Sequence, residues 1–258
     1  MNDKIKTLID RHINSKEKGI VAWWDVITKV FSYISILEII IQIYKYRVGY
    51  YSQENKEELK SKMDKLYKFI EVWVVTHSIL APVISLVLFY YFDGKEKKLI
   101  YTILIYGLFR VFEIIIKQIR VILFDTIGVN AIDLKGARRS IILLIHNIVE
   151  MISWFAISFM GIILLDKSVV GKSFEKLSEV YSWFDFILCS TLQMTVFSDG
   201  YTSIKDIMTK QNFLATITII EIIMGFIIIV VALARFFSLL PGVGQIDDDK
   251  NDSNPLHP

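Results

Sequence analysis

Four runs of this sequence are long and apolar enough to cross a lipid bilayer: Phe69–Phe92, Leu99–Phe124, Ser140–Leu165 and Asn212–Leu240. A spanning helix needs about 20 mostly apolar residues, and hydrocarbon offers no water to an open backbone. That restricts the fold more than any other feature of the chain. Composition agrees, since 53% of the 258 residues are hydrophobic and the mean hydropathy is +0.48. The expected class is an all-α multi-pass membrane protein with four transmembrane helices. Residues 1–19 are mostly polar and lack a small-residue cleavage site after an apolar core, so no removable leader is expected.

The connections are charged. Lys45–Lys68 includes Lys56, Glu57, Glu58, Lys60, Lys62, Asp64 and Lys65 and reads as a solvated helix. Gly19–Tyr44 is apolar but carries a polar stripe at Asp25, Thr28, Lys29, Ser32, Ser35, Glu38 and Gln42. Spacings of three and four place that stripe on one helical face. An amphipathic helix in the membrane interface fits this pattern, and a fifth span with a polar packing face is the alternative. Asp93–Lys98 is a tight turn with an Asp-Gly pair, and residues 242–258 form an acidic tail expected to be disordered. Basic residues favour the cytoplasmic side. Residues 1–19 carry five, 45–68 seven and 125–139 three, while 93–98 carries three and the long stretch 166–211 carries five over many more residues. Both termini are therefore expected in the cytoplasm, with the chain in the plasma membrane.

Ionisable residues inside the spans are expensive and normally face protein or water. Arg110, Glu113, Lys117 and Arg120 are spaced three, four and three apart, so they share one face. A voltage sensor is one reading, but Glu113 interrupts the basic series. An intramembrane charge ladder is the other, with Glu71 and Glu150 as partners. His146 and Glu150 lie one turn apart, which suits a proton relay or a buried hydrogen-bonded pair. Cys189 is the single cysteine, and the four histidines are widely separated, so no metal site is expected. With a net charge of only +2, nucleic acid is not an expected partner.

Between Tyr181 and Pro241 the pattern changes. Tyr181–Val196 is apolar but only long enough for half a membrane. Phe197–Gln211 is polar and turn-rich, and the last full span follows. Non-helical backbone at membrane depth is tolerated only where protein buries it or a water-filled cavity meets it. A half-span, a polar loop and a full span in this order suggest a re-entrant pore helix with its loop and inner helix.

The residues sharpen the comparison. The half-span ends Ser190-Thr191-Leu192-Gln193-Met194-Thr195, and Val196-Phe197-Ser198-Asp199-Gly200-Tyr201 follows. The last span contains Glu221, Gly225, Ile229, Ala232 and Phe236 near one face with Thr218. Residues 138–241 resemble the pore module of the tetrameric, potassium-channel-like cation channels: outer helix, pore loop, inner helix. The resemblance implies a selectivity filter at Thr195–Tyr201 and an inner-helix gate at Glu221, Gly225, Ile229, Ala232 and Phe236. Two alignments remain open. Val196–Gly200 replaces the family's T-V-G-Y-G, or Gly200-Tyr201 matches its G-Y pair. One glycine is missing in either, and glycines permit the backbone angles such a filter uses. The implied pore is a homotetramer passing monovalent cations, potassium or sodium, with poor or weak potassium selectivity. Asp199 would supply a ring of carboxylates favouring cations.

The organisation expected is residues 1–68 cytoplasmic or interfacial, 69–137 a two-helix membrane domain, 138–241 the pore domain and 242–258 the tail. No catalytic motif and no cofactor is expected. Three functions are weighed: a cation channel; a partner-triggered membrane effector or adaptor with a degenerate channel fold; and an intramembrane enzyme or proton-coupled transporter using His146, Glu150, Glu113 and Glu221. Residues 1–68 are where a regulatory protein or ligand would act. Transporters often show internal repeats, and none is visible, which disfavours the third.

Overall fold

The computed structural model describes residues 23, 26–28, 30–31, 35–47, 56–123, 134–170, 174–195, 204, 207 and 212–237. Among them there is helix and no strand. The elements are α1 (Ile36–Arg47), α2 (Lys56–Tyr91), α3 (Lys97–Leu123), α4 (Leu134–Leu165), α5 (Trp183–Met194) and α6 (Asn212–Phe237). Short 3-10 turns at Lys167–Val170 and Leu177–Glu179 join α4 to α5. Four helices are long and apolar enough to cross a membrane, over Asp64–Tyr91, Lys97–Ile119, Ile141–Leu165 and Asn212–Ala234.

The charged connection before the first span is not a separate helix. It continues without a break into α2, which runs 36 residues, about 54 Å at 1.5 Å per residue. Crossing hydrocarbon takes about 30 Å of helix, so α2 is longer than a crossing requires. Pro82 lies inside α2. Ser85 Oγ donates to the Pro82 carbonyl at 2.6 Å and Ser78 Oγ to the Val75 carbonyl at 2.8 Å.

α4 is the centre of the bundle. It packs against α2, α3, α5 and α6. Of its span, 78% is buried, against 28% for α6. Met151, Trp154, Phe155, Phe159 and Met160 are wholly enclosed. Small residues set the helix spacing. A Cβ on Gly107 would lie 2.6 Å from the Trp154 ring, and one on Gly161 2.8 Å from Leu104. Without a hydrophobic drive between helices in lipid, such close approach is a main source of association.

One end of the bundle is fixed by the turn between α2 and α3. Gly94 has φ +86°, a region that L side chains resist, and its Cα faces the Leu164 carbonyl. Lys95 Nζ pairs with Asp93 at 2.6 Å. The Lys95 hydrogen bonds hold the Asp93 carboxyl down at about 2. Nearby, Lys167 Nζ donates to the carbonyls of Phe174 (3.0 Å) and Glu175 (2.8 Å), closing the link that leaves α4.

The described part of 23–47 departs from an interfacial helix with its polar stripe in water. Thr28 and Ser35 are buried, and Glu38 and Gln42 are half-buried. The exposed positions are mostly apolar, Trp23, Ile27, Phe31, Ile36, Ile39 and Ile43, with Tyr46 and Arg47 at the end of α1. Leu37 and Ile41 pack with Leu66, Ile70 and Trp73 of α2, and Phe31 stacks edge-on against Phe112 of α3, 5.3 Å between centroids. The reason lies in the bundle, which offers the stripe a buried carboxylate.

Candidate functional site

That carboxylate is Glu113, part of a cluster sealed between α3, α4 and the N-terminus of α1. Arg110 sits at its centre, 3% exposed, with Glu113 4% and Glu150 0%. Arg110 Nε donates to Glu150 Oε1 at 2.7 Å and Nη2 to Oε2 at 3.4 Å. Its Nη1 donates to Glu113 Oε2 at 2.5 Å. Spacing explains the first half of this arrangement, since residues three apart on a helix are neighbours. The second half is tertiary, since Glu150 comes from α4.

Two carboxylates share one guanidinium, so the three residues together carry one negative charge. The N-terminus of α1 meets it. Glu113 Oε1 accepts from the Leu37 backbone N–H at 3.0 Å and from the Ser35 hydroxyl. A helix N-terminus exposes unpaired N–H groups and a partial positive charge, which suits an anion. Ser35 Oγ also accepts from the Glu38 N–H at 3.1 Å, the usual act of an N-cap serine. Aromatic groups enclose the cluster. Trp154 Nε1 donates to Glu150 at 3.3 Å, and the guanidinium lies 5.9 Å from the centre of the Trp73 ring. His77 extends the polar zone: Nδ1 donates to the Trp73 carbonyl at 2.8 Å and Nε2 meets the Tyr106 hydroxyl at 3.1 Å.

Of the remaining intramembrane charges, Lys117 is half-buried on α3, and the side chain of Arg120 lies outside the described residues. His146 is not the partner of Glu150. Its Nδ1 donates to the Ile142 carbonyl one turn back, at 2.8 Å, because the Glu150 oxygens are already turned to Arg110.

The second candidate region is the seat of α5, a 12-residue helix. Its N-terminus is capped twice. Ser182 Oγ accepts from the Phe184 N–H at 3.3 Å, and Asp185 reaches back to the Ser182 N–H at 2.9 Å. Trp183 Nε1 donates to Ser85 Oγ on α2 at 2.9 Å, and Phe186 is fully buried against Phe89 and Tyr181. The other end leans on the middle of two spans. Ser190 Oγ lies 3.0 Å from the Ile152 carbonyl of α4 and bonds Glu221 of α6. The Met194 backbone passes so close to Gly225 that a Cβ there would overlap it.

The expected gate row is therefore split. Glu221 and Gly225 are buried against α5, Ala232 is half-buried and Ile229 is 36% exposed. The side chain of Phe236 lies outside the described residues. The exposed row of α6 is Ile220, Ile223, Phe226, Val230 and Leu233. Thr195 closes α5 as its C-cap, exposed, with Oγ1 donating to the Thr191 carbonyl at 2.9 Å. The other expected filter positions, Val196, Phe197, Ser198, Asp199, Gly200 and Tyr201, lie outside the described residues. Among the described residues, no group of three or more His, Cys, Asp or Glu side chains is placed to hold a metal.

Contributors that sequence reasoning did not single out as site residues include Ser35, Ser190 and Trp154, along with Trp73, His77 and Tyr106 around the cluster. Ser35 stood in the polar stripe and Ser190 in the apolar half-span, so a polar residue in an apolar context was the signal. Nothing local marked Trp154. Comparison of the chain with protein-family models, with curated proteins and with solved structures finds no match.

Proposed function

We propose that the chain is a subunit of a homo-oligomeric cation channel of the plasma membrane, with α4, α5 and α6 as outer, re-entrant pore and inner helices. The observation carrying this reading is the seat of α5. It is too short to span, it is anchored to α2 at Trp183, and its far end stops beside Ile152 and Gly225, both near the middle of their spans. A half-length helix ending at mid-membrane requires the backbone that follows to meet protein or water rather than lipid. Four copies around an axis would give that backbone a water-filled path. In this arrangement the pore-facing row of α6 is the exposed one around Ile223, Phe226 and Val230. Glu221 and Gly225 hold α5 in place. The permeant species is a monovalent cation, potassium or sodium. Both termini are cytoplasmic, and the reading includes no catalytic step.

The test is single-channel recording of the purified protein in planar bilayers, with potassium on one side and sodium on the other. Current steps reversing near zero and insensitive to chloride replacement support a weakly selective cation pore. Asp199→Asn should lower conductance or cation preference without changing assembly. Unaltered permeation removes Asp199 from the path.

A second reading, a membrane effector triggered by a partner, is favoured by one contact. Ser35 and Leu37 reach the buried Glu113, so a ligand or protein pulling on residues 1–68 would act directly on the cluster. Electrical silence that persists in Phe236→Ala would favour it over the conducting pore.

A further inference from the structure

We infer that Glu221 is a proton-binding site: a neutral carboxylic acid whose proton completes a hydrogen-bonded chain fastening α5 to α4 and α6. The argument is a count of protons. Ser190 Oγ has two partners, the Ile152 carbonyl at 3.0 Å and Glu221 Oε1. A serine hydroxyl has one proton to donate. A carbonyl oxygen only accepts, so the Ile152 contact takes the serine proton. The Ser190–Glu221 contact then needs a proton of its own, and Glu221 is the remaining source. The chain runs Glu221 O–H to Ser190 Oγ, and Ser190 O–H to the Ile152 carbonyl, crossing three helices.

The surroundings agree. Glu221 is 0% exposed, and its Oε2 has no hydrogen-bond partner among the described residues. It lies nine residues into the span that begins at Asn212, about 14 Å along the axis. Among the described residues, an ionised carboxylate there would have a single hydrogen bond and no counter-ion, an arrangement that buried charges do not sustain. The other fully buried ionisable side chains on the helices packed against α6 are Arg110 and Glu113 of α3, Glu150 of α4 and Cys189 of α5, and the amine of half-buried Lys117 on α3 is enclosed as well. Arg110 bonds both Glu113 and Glu150, and the bonded partner of Glu221 is Ser190. The two buried carboxylates beside Arg110 differ from Glu221 in this respect, because each accepts a bond from the guanidinium.

The chain has a mechanical meaning. Ser190 lies one turn before the C-terminus of α5, and Gly225, one turn after Glu221, admits the Met194 backbone. Proton and glycine together close the α5–α6 contact. Withdrawing the proton leaves Ser190 between two acceptors with one donor, and puts a charge in the apolar seam.

Infrared spectroscopy of the full-length protein in lipid nanodiscs tests this. At pH 7 the spectrum should contain a carbonyl stretch of a protonated carboxyl group. It should shift when glutamate is labelled with ¹³C at the side-chain carboxyl, which needs no substitution. In Glu221→Gln the band should vanish while the protein stays folded, because the amide N–H can donate to Ser190 in the proton's place. In Ser190→Ala the band should remain but move to higher frequency, its acceptor gone. Absence of any ¹³C-sensitive protonated-carboxyl band overturns the assignment. So does a band that survives in Glu221→Gln or is unmoved in Ser190→Ala.

Discussion

Replacing Arg110 with methionine tests whether the buried cluster holds α3, α4 and α1 together. The substitution keeps an unbranched apolar stem and removes the guanidinium. The two short charge-assisted hydrogen bonds go with it, at 2.7 Å to Glu150 and 2.5 Å to Glu113, besides the long one at 3.4 Å to Glu150. Bonds to charged groups contribute about 1.5–3 kcal/mol each, so the loss is about 3–6 kcal/mol. A second route gives a similar figure: removing one partner of a buried ion pair costs about 3–5 kcal/mol, because a bare charge stays behind. Here one substitution strands two carboxylates, so about 4 kcal/mol is a conservative value. That is roughly a thousandfold in the folding equilibrium, and a large part of a typical stability of about 5–15 kcal/mol.

Glu150→Gln should be much milder, about 1–2 kcal/mol, because it leaves Arg110 and Glu113 as an even pair. The assay is equilibrium unfolding in mixed micelles of rising SDS fraction, read by tryptophan fluorescence. Trp73 and Trp154 both border the cluster and report on it directly. The triple variant Arg110→Met, Glu113→Gln, Glu150→Gln should recover much of the loss, since it removes the charges rather than stranding them. The reasoning fails if Arg110→Met unfolds within about 1 kcal/mol of the parent, a shift in the range of exposed pairs. It also fails if Glu150→Gln is the worse of the two.

Three further outcomes follow from single contacts. Gly225→Ala should destabilise the protein by about 1–3 kcal/mol through overpacking, since its methyl would overlap the Met194 backbone; a melting temperature equal to the parent's in the same detergent would show that α5 has room to move. Gly94→Ala should cost about 1–2 kcal/mol from its left-handed backbone alone, with the Leu164 carbonyl 2.6 Å from the new carbon adding to that; unchanged thermal unfolding would argue that the turn re-forms. Asp93 is a depressed acid, so its contribution is present above its ordinary value of 3.8 and is lost as pH falls toward about 2. The gap in melting temperature between parent and Asp93→Asn should hold steady from about pH 7 to 5 and close below about pH 4, whereas a gap that persists in acid would assign the effect to something other than ionisation.

The four spans were legible because length and hydropathy are local quantities, and each observed span overlaps the apolar run that announced it. The half-length helix was legible for the same reason, from an apolar run that stops too soon. What a helical pattern does not carry is the identity of its partner. The polar stripe through Thr28, Ser35, Glu38 and Gln42 has two solutions beside a bilayer, water or another polar group inside the bundle. Only the arrival of Glu113, 78 residues from Ser35, selects the second. The lysine-rich stretch before the first span read as a solvated helix of its own because charge ends a hydrophobic run, yet charge does not end a helix, and α2 begins at Lys56 and continues into the span.

α6 is the clearest case of an ambiguity that sequence alone leaves standing. It is apolar nearly all round, so no hydrophobic periodicity separates a lipid face, a packing face and a pore face. One carboxyl and one glycine break the uniformity, and in a channel-like order both invite a role in the pore. The same two residues are also what a tight seam requires: the glycine lets a backbone approach, and the carboxyl finds a hydroxyl. The deciding fact sits on the other helix, in Ser190 and Met194. A polar residue on a spanning helix identifies a contact that must be satisfied; which neighbour satisfies it is a property of the packed bundle. For α6 that neighbour belongs to the same chain, which frees the row through Ile223, Phe226 and Val230 to face outward.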